Sequence, residues 1–380
     1  MSKVFVSHNN IISSLGFTTK EVVEKVSNEV SGLQLIDDTS AFNQKFYSSL
    51  VDKSTLDQKF NALQPEGEYM LLEQMMITSL QDTISASGID INERVGLIIS
   101  TTKGNVDALD ENNTFPNERA YLSELGKTIT SFFDFKNEAI VVSNACVSGV
   151  LALAIAKRYI SQGRFDHMFV VGGDLVTPFI LSGFNSFQAL SDDLCQPYDA
   201  DRKGINIGEV AVSALVTKDV DNLSDDAVEI LGEGSCNDAN HISGPSRTGE
   251  GLYRSMQSAF KQAQVAPTEI DYISAHGTAT LYNDEMEAIA FNRMQLQEVP
   301  MNSLKGYFGH TLGASGLLET VIGMNSLKHN MLYTSLGFKA LGVSQPINVI
   351  ETPQKAELNT FLKTASGFGG CNTAIIFKKI

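Results

Sequence analysis

The chain has 380 residues, enough for two domain-sized halves or one large α/β unit. Hydrophobic residues are 43% and charged residues 19%, which supplies a substantial core and excludes global disorder. A net charge of −16 excludes a nucleic-acid binder, which needs a basic surface, and four dispersed cysteines without a CxxC pair exclude a disulfide framework or zinc site.

The start, "MSKVFVSHNN", lacks the apolar run of a secretory signal, so a cytoplasmic protein with free thiols is expected. "KVFVS" reads as a strand, and Thr18-Thr19 caps a helix through "KEVVEKVSNEV". Residues 36–66 are polar and turn-rich, and predict a surface excursion. "EYMLLEQMMITSLQDTISASG" has helical apolar spacing and stops at Gly88. "RVGLIIS" is a buried strand and "DENNTFPNERAY" a loop. The stretch from Ala139 to Ala156 is nearly long enough to span a membrane. Ser143, Asn144, Ser148 and Gly149 interrupt it, so it reads as strand "AIVVSNA", a tight turn, then buried helix "GVLALAIAKRYI". "HMFVVGGD" and "VAVSALVTK" are strands flanking a loop-like "CQPYDADRKGINIGE". After a linker at 219–227 the rhythm returns: strand "AVEILGEGS", helix "EGLYRSMQSAFKQAQV", strand "IDYISAHGTAT", helices "NDEMEAIAFNRMQ" and "ASGLLETVIGMNSLKHN", and closing strand "NTAIIFKK". Helices between buried strands predict an α/β protein with two like halves, 1–226 and 227–380.

Cys146 sits in the small-residue turn between strand and helix. A lone cysteine on an apolar segment is commonly a packing residue. At a helix N-terminus it also meets the positive end of the dipole and free N–H groups, which favour a reactive thiolate and can hold an oxyanion. Of the six histidines, His276 in "SAHGTAT" and His310 in "KGYFGHTLGASG" lie in small-residue stretches. With Lys305 and Cys146 they form a candidate constellation; either histidine alone reads as structural. His241, in "NDANHISGP", is intermediate, and His8, His167 and His329 read as ordinary. "SGFGGCN" places Phe368 in a Gly-rich turn, either a flexible loop or a backbone that closely approaches a ligand. No phosphate-cradling GxxxxGK[ST] and no set of ligands at metal spacing is present.

Together these stretches resemble the elongating β-ketoacyl-acyl carrier protein synthases of the thiolase superfamily. "SNACVSG" is similar to the family's nucleophile turn, "AHGTATLYND" to its first histidine motif, "SLKGYFGHTLGASGLLE" to its lysine–histidine motif and "SGFGGCN" to its C-terminal loop. "SGFNSFQALS", "YDADRKGINIGE" and "DANHISGP" add to the likeness. The resemblance implies a thiolase-like fold: two similar halves stacked as a five-layer αβαβα sandwich, the first carrying the cysteine and the second both histidines. It implies that Cys146 accepts the acyl chain, and that His276 and His310 assist malonyl decarboxylation and stabilise the enolate. Lys305 then orients or polarises the His310 region, the N–H groups of Cys146 and Phe368 form the oxyanion hole, and Phe368 gates the acyl site. Thr278 and Thr280 match positions that bind the phosphopantetheine arm, while Asp284, Glu287 and Glu319 match supporting positions. Arg202 matches a residue that meets the carrier protein or its phosphate, and Lys203, Arg158 and Arg164 are further basic candidates for that face. His241 counts among the supporting positions.

The resemblance implies no resident cofactor, since phosphopantetheine arrives on the carrier protein, and a homodimer or a heterodimer with a related synthase subunit. A histidine at 310 favours elongation over the His/Asn pair of initiating synthases and the His/Cys pair of thiolases, both of which act on coenzyme A thioesters. A non-catalytic partner resembling a chain-length factor is the other alternative; such partners usually lack the cysteine. The chain departs from the family at 102–137, which is compressed where a dimer-facing and acyl-pocket insert is usual, and at Asp174, where glutamate is commoner.

Overall fold

The computed structural model describes residues 3–37, 45–238 and 244–380. Most of its strands form one eleven-stranded mixed sheet whose two halves repeat one plan. In the first half, strand Phe5–Ser13 pairs antiparallel with Val210–Thr217, which pairs antiparallel with His167–Asp174. Val95–Ser100 and then Ile140–Val142 follow in parallel. In the second half, Val228–Asn237 pairs antiparallel with Cys371–Lys379, which pairs antiparallel with Thr360–Gly367. Tyr272–Ser274 and Pro300–Asn302 follow in parallel. Within the sheet the halves join where Phe5 lies opposite Glu229 and Val6 opposite Val228.

Two helices fill the fold. Ser148–Ser161 and Ser315–His329 pack on each other and touch strands of both halves. The second is buried at every residue from Ser315 to Leu327. That explains its lack of a polar stripe, because a helix covered on all sides needs none. Its Leu317, Leu318, Val321, Ile322 and Leu327 belong to the largest core cluster, each side chain contributing about 1.5–3 kcal/mol on burial. Helices Leu71–Ser87 and Leu122–Phe132 cover the outer face of the first half, and Glu250–Ala263 with Leu281–Arg293 that of the second. The layers run helix, sheet, helix, sheet, helix, as expected.

Local signals account for several boundaries. The Thr18 side chain accepts the Glu21 N–H at 3.2 Å and starts helix Thr19–Ser27. Gly88 ends Leu71–Ser87 in the left-handed region, at φ 61°.

Other expectations need correction. Residues 36–66 are not simply a surface excursion: Phe46–Ser49 bridges Gln34–Ile36 and Ile207–Gly208, and helix Lys53–Asn61 buries Leu56 and Phe60. Four apolar anchors, Phe46, Val51, Leu56 and Phe60, suffice there despite polar neighbours. Within the compressed 102–137 stretch, helix Leu122–Phe132 packs Leu125 and Ile129 into the core. Helix Pro178–Ser186 and strand Thr360–Gly367 were also unexpected. The strand hides behind Lys363 and three hydroxyl residues that read as polar in sequence yet are buried. Among the described residues no helix is long and apolar enough to cross a membrane.

Candidate active site

The nucleophile turn is built by short-range bonds. The Ser148 hydroxyl accepts the Asn144 N–H at 2.8 Å and donates to the Ala145 carbonyl at 2.6 Å. Ala145 is held at φ +45°, a conformation costing a non-glycine residue about 1–2 kcal/mol. The turn delivers Cys146 just ahead of helix Ser148–Ser161, as the sequence suggested. Across from it runs the Gly-rich loop. A Cβ on Gly367 would lie 3.0 Å from the Cys146 nitrogen, so a side chain there would press on the nucleophile turn. The Phe368 N–H then faces the thiol.

The other two groups come from the second half. The Cys146 sulfur and one ring nitrogen of each of His276 and His310 all lie within 4.8 Å of one another. The imidazole centroids are 5.2 Å apart and nearly perpendicular. His310 Nδ1 accepts the Leu312 N–H at 3.3 Å and lies 2.9 Å from the Ser315 hydroxyl. An Nδ1 that accepts must be unprotonated, so the neutral ring carries its proton on Nε2. That Nε2 is buried with no partner among the described residues. It is a donor awaiting an acceptor. Both histidines are fully buried, and burial first, then the charge on Lys305, holds their pKa well below the usual value. They are neutral at physiological pH.

The turn that carries His276 is held from below. Glu287 accepts the N–H groups of His276 at 2.9 Å and Gly277 at 2.7 Å, and the Tyr198 hydroxyl at 3.0 Å. Asp284 accepts the N–H groups of Thr278 at 2.9 Å and Tyr198 at 2.7 Å. Burial pushes Asp284 up to about 6 against these bonds. Gly277 has φ +43°, and a Cβ there would meet Ser303 Cβ at 2.5 Å. Lys305, wholly buried, donates to the His276 carbonyl at 2.5 Å and pairs with Glu319 at 2.8 Å. It thus touches the His276 backbone, and its charge also reaches His310. Asp174 accepts from Thr101 at 2.9 Å, Thr102 N–H at 3.0 Å and Gly313 N–H at 2.8 Å, tying its strand end to the turn after His310.

A cavity of about 530 Å³ leads to this cluster. Cys146, His276 and His310 lie in its wall with Phe368, Thr278 and Thr280, and the two threonine hydroxyls are 2.8 Å apart. Phe368 is flanked by Phe184 and Phe187, with ring centroids at 5.5 and 5.2 Å. Neither of these two phenylalanines was singled out from the sequence, although both lie in the "SGFNSFQALS" stretch.

Arg202 is turned inward. It is 7% exposed, donates to the carbonyls of Asp199 at 2.8 Å and Gly342 at 2.6 Å, and sits 3.8 Å from Asp284. Arg158 is paired with Glu233 at 2.6 Å, and Lys203 with Asp193 at 2.5 Å. Arg164 stacks on Tyr159. His241 lies outside the described residues.

The thiol also departs from expectation. Burial pushes Cys146 up to about 12, outweighing the pull of Lys305 and the Phe368 N–H, so the resting group is a thiol and not a thiolate. Iodoacetamide alkylation of Cys146 should therefore be slow at neutral pH and rise about tenfold per pH unit through pH 9. Peptide mass mapping of the alkylated site checks this, and a plateau below pH 8 would contradict it.

Comparison with known proteins agrees with this geometry. Residues 14–222 match the family model of the beta-ketoacyl synthase N-terminal domain, and 227–339 that of the C-terminal domain. The chain is 34% identical over 256 residues to 3-oxoacyl-[acyl-carrier-protein] synthase 2 of Rhizobium meliloti, covering 63% of this chain and 60% of that one. With the same-named protein of Vibrio cholerae it is 26% identical over 423 aligned positions, covering 100% and 99%. The relative thus carries residues that this chain lacks. A ketosynthase solved in complex with its chain length factor from Xenorhabdus doucetiae superimposes with a TM-score of 0.88 at 24% identity, over 100% of this chain and 98% of that one. The paired domain matches, on a two-half sheet that brings one cysteine against two histidines, place this chain in the beta-ketoacyl synthase family of condensing enzymes, within the thiolase superfamily.

Proposed function

We propose that the protein extends an acyl chain held on Cys146 by decarboxylative Claisen condensation with malonyl-carrier protein. The observation that carries this reading is the convergence of a thiol and two neutral imidazoles within 4.8 Å at the end of one cavity. The thiol first takes the acyl group from the carrier's pantetheine as a thioester, and the thiol proton passes to the pantetheine sulfur that leaves. The carbonyl oxygen in that step faces the N–H groups of Cys146 and Phe368. Malonyl thioester then loses carbon dioxide. The enolate oxygen is held by hydrogen bonds from the imidazoles, His310 presenting its Nε2–H. The carbanion attacks the Cys146 thioester, and the Cys146 thiolate that leaves takes a proton from water. Neutral donors suit this step, because they stabilise charge that develops only during reaction.

On this reading Phe368 gates the acyl site and Thr278 and Thr280 bind the phosphopantetheine arm. Glu287, Asp284, Glu319 and Lys305 act through the His276 turn. No resident cofactor is required, as the pantetheine arrives on the substrate. The presence of Cys146 beside two histidines argues against a non-catalytic partner and against an initiating synthase or thiolase. We place the chain in the cytoplasm, as two domains divided at 226/227. It pairs with a copy of itself or a related synthase subunit. Incubation with acyl- and malonyl-carrier proteins tests the reading. A β-ketoacyl product with equimolar carbon dioxide is expected. Absence of product with every acyl chain offered would refute it.

A further inference from the structure

Two lysines are wholly buried beside the reactive cluster, and only Lys305 lies in a motif already discussed. The other, Lys363, is on strand Thr360–Gly367, where Phe361, Leu362 and Ala365 are core residues. An ammonium among such neighbours is costly unless it is fully coordinated, and an apolar residue of like size is often at least as stable there. Lys363 is fully coordinated. Its Nζ lies 3.1 Å from the Ser274 carbonyl, 3.3 Å from that of Ala275 and 2.7 Å from that of Thr364. A fourth oxygen, Glu319 Oε2, is at 2.6 Å. Lys305 occupies the other oxygen of Glu319 and the next carbonyl along, that of His276.

Three successive carbonyls, of residues 274, 275 and 276, are therefore drawn to two ammonium groups bridged by one carboxylate. These peptides form the strand end from which the His276 ring projects. Carbonyl dipoles pointing at one place repel one another and the Glu319 carboxylate, and a cation between them reverses the sign of that interaction. Remove it, and the peptide planes turn or the carboxylate leaves Lys305. Either change displaces His276 relative to Cys146.

We propose that Lys363 is a positioning residue whose ammonium serves as a built-in monovalent cation, fixing the 274–276 carbonyls and Glu319 so that His276 meets the enolate. The proposal rests on the reading of His276 given above. It does not make Lys363 a proton donor to substrate, because its contacts are the backbone and Glu319.

The test uses the full chain with Lys363→Ala, which empties the stem and leaves the four oxygens, and Lys363→Met, which keeps the stem without the charge. Both variants should acylate Cys146 as the wild type does, while malonyl decarboxylation falls about 10–100-fold, the cost expected of a displaced catalytic group. Ammonium or methylammonium chloride should restore Lys363→Ala but not Lys363→Met, and tetramethylammonium chloride at matched ionic strength should restore neither. Wild-type decarboxylation in either variant would overturn the proposal. So would a slow Lys363→Ala that ammonium does not accelerate beyond the tetramethylammonium control. Should Lys363→Ala unfold, a higher thermal midpoint in ammonium than in tetramethylammonium supports the proposal, and equal midpoints overturn it. If the wild type fails to decarboxylate malonyl-carrier protein, the condensing reading falls, and the ammonium dependence of the midpoint still decides the role of Lys363.

Discussion

His310→Ala should still acylate at Cys146 yet lose malonyl decarboxylation by about 10²–10³-fold, the usual effect of removing one preorganised donor from a developing oxyanion. The separation follows from the geometry. Acyl transfer relies on the thiol and on backbone N–H groups, which the substitution leaves in place. Decarboxylation relies on a donor aimed at the enolate oxygen, and the Leu312 N–H bond to Nδ1 assigns that proton to His310 Nε2. Intact-mass measurement of the acyl adduct and release of labelled carbon dioxide read the two steps separately. Equal loss of both in a folded variant would contradict the assignment.

The second large effect is that of Cys146→Ala. It should lower condensation by about 10⁴–10⁶-fold, the range found when a covalent nucleophile is removed. The cavity, both imidazoles and the Lys305–Glu319 pair remain, so decarboxylation of malonyl-carrier protein should continue in this variant without a new carbon–carbon bond. Loss of decarboxylation equal to the loss of condensation would show that the thiol also shapes the donor site. The substitution removes one small buried side chain from the active-site wall, so the fold itself should hold.

Much of this site was legible in the sequence because its parts are local. A β-branched run, a turn of small residues and an apolar helix specify the Cys146 turn on their own. The "SAHGTAT" and "KGYFGH" stretches pair a chemically competent side chain with the glycines that a tight turn demands. The alternation of strands and helices gave the α/β class and the doubled plan, which the sheet order repeats.

What escaped was set by tertiary contact. The dipole argument for a thiolate was sound locally, but burial of the thiol in the folded chain outweighs it. Arg202 reads as a surface cation in "DADRKG" until the chain around Gly342 closes over it. Lys363 resembles an ordinary solvent-facing lysine of a half-exposed strand. Only the convergence of Ser274, Ala275 and Glu319 reveals what it faces. Leu122–Phe132 was missed because a compressed, polar approach masks a helix whose Leu125, Gly126 and Ile129 form one buried face.

Intact-protein mass spectrometry after incubation with acyl-carrier protein tests the central claim most directly. The wild type is expected to gain the mass of one acyl group, located by peptide fragmentation on Cys146, and Cys146→Ala to gain none. An adduct on another residue, or an equal gain in both proteins, would contradict the account.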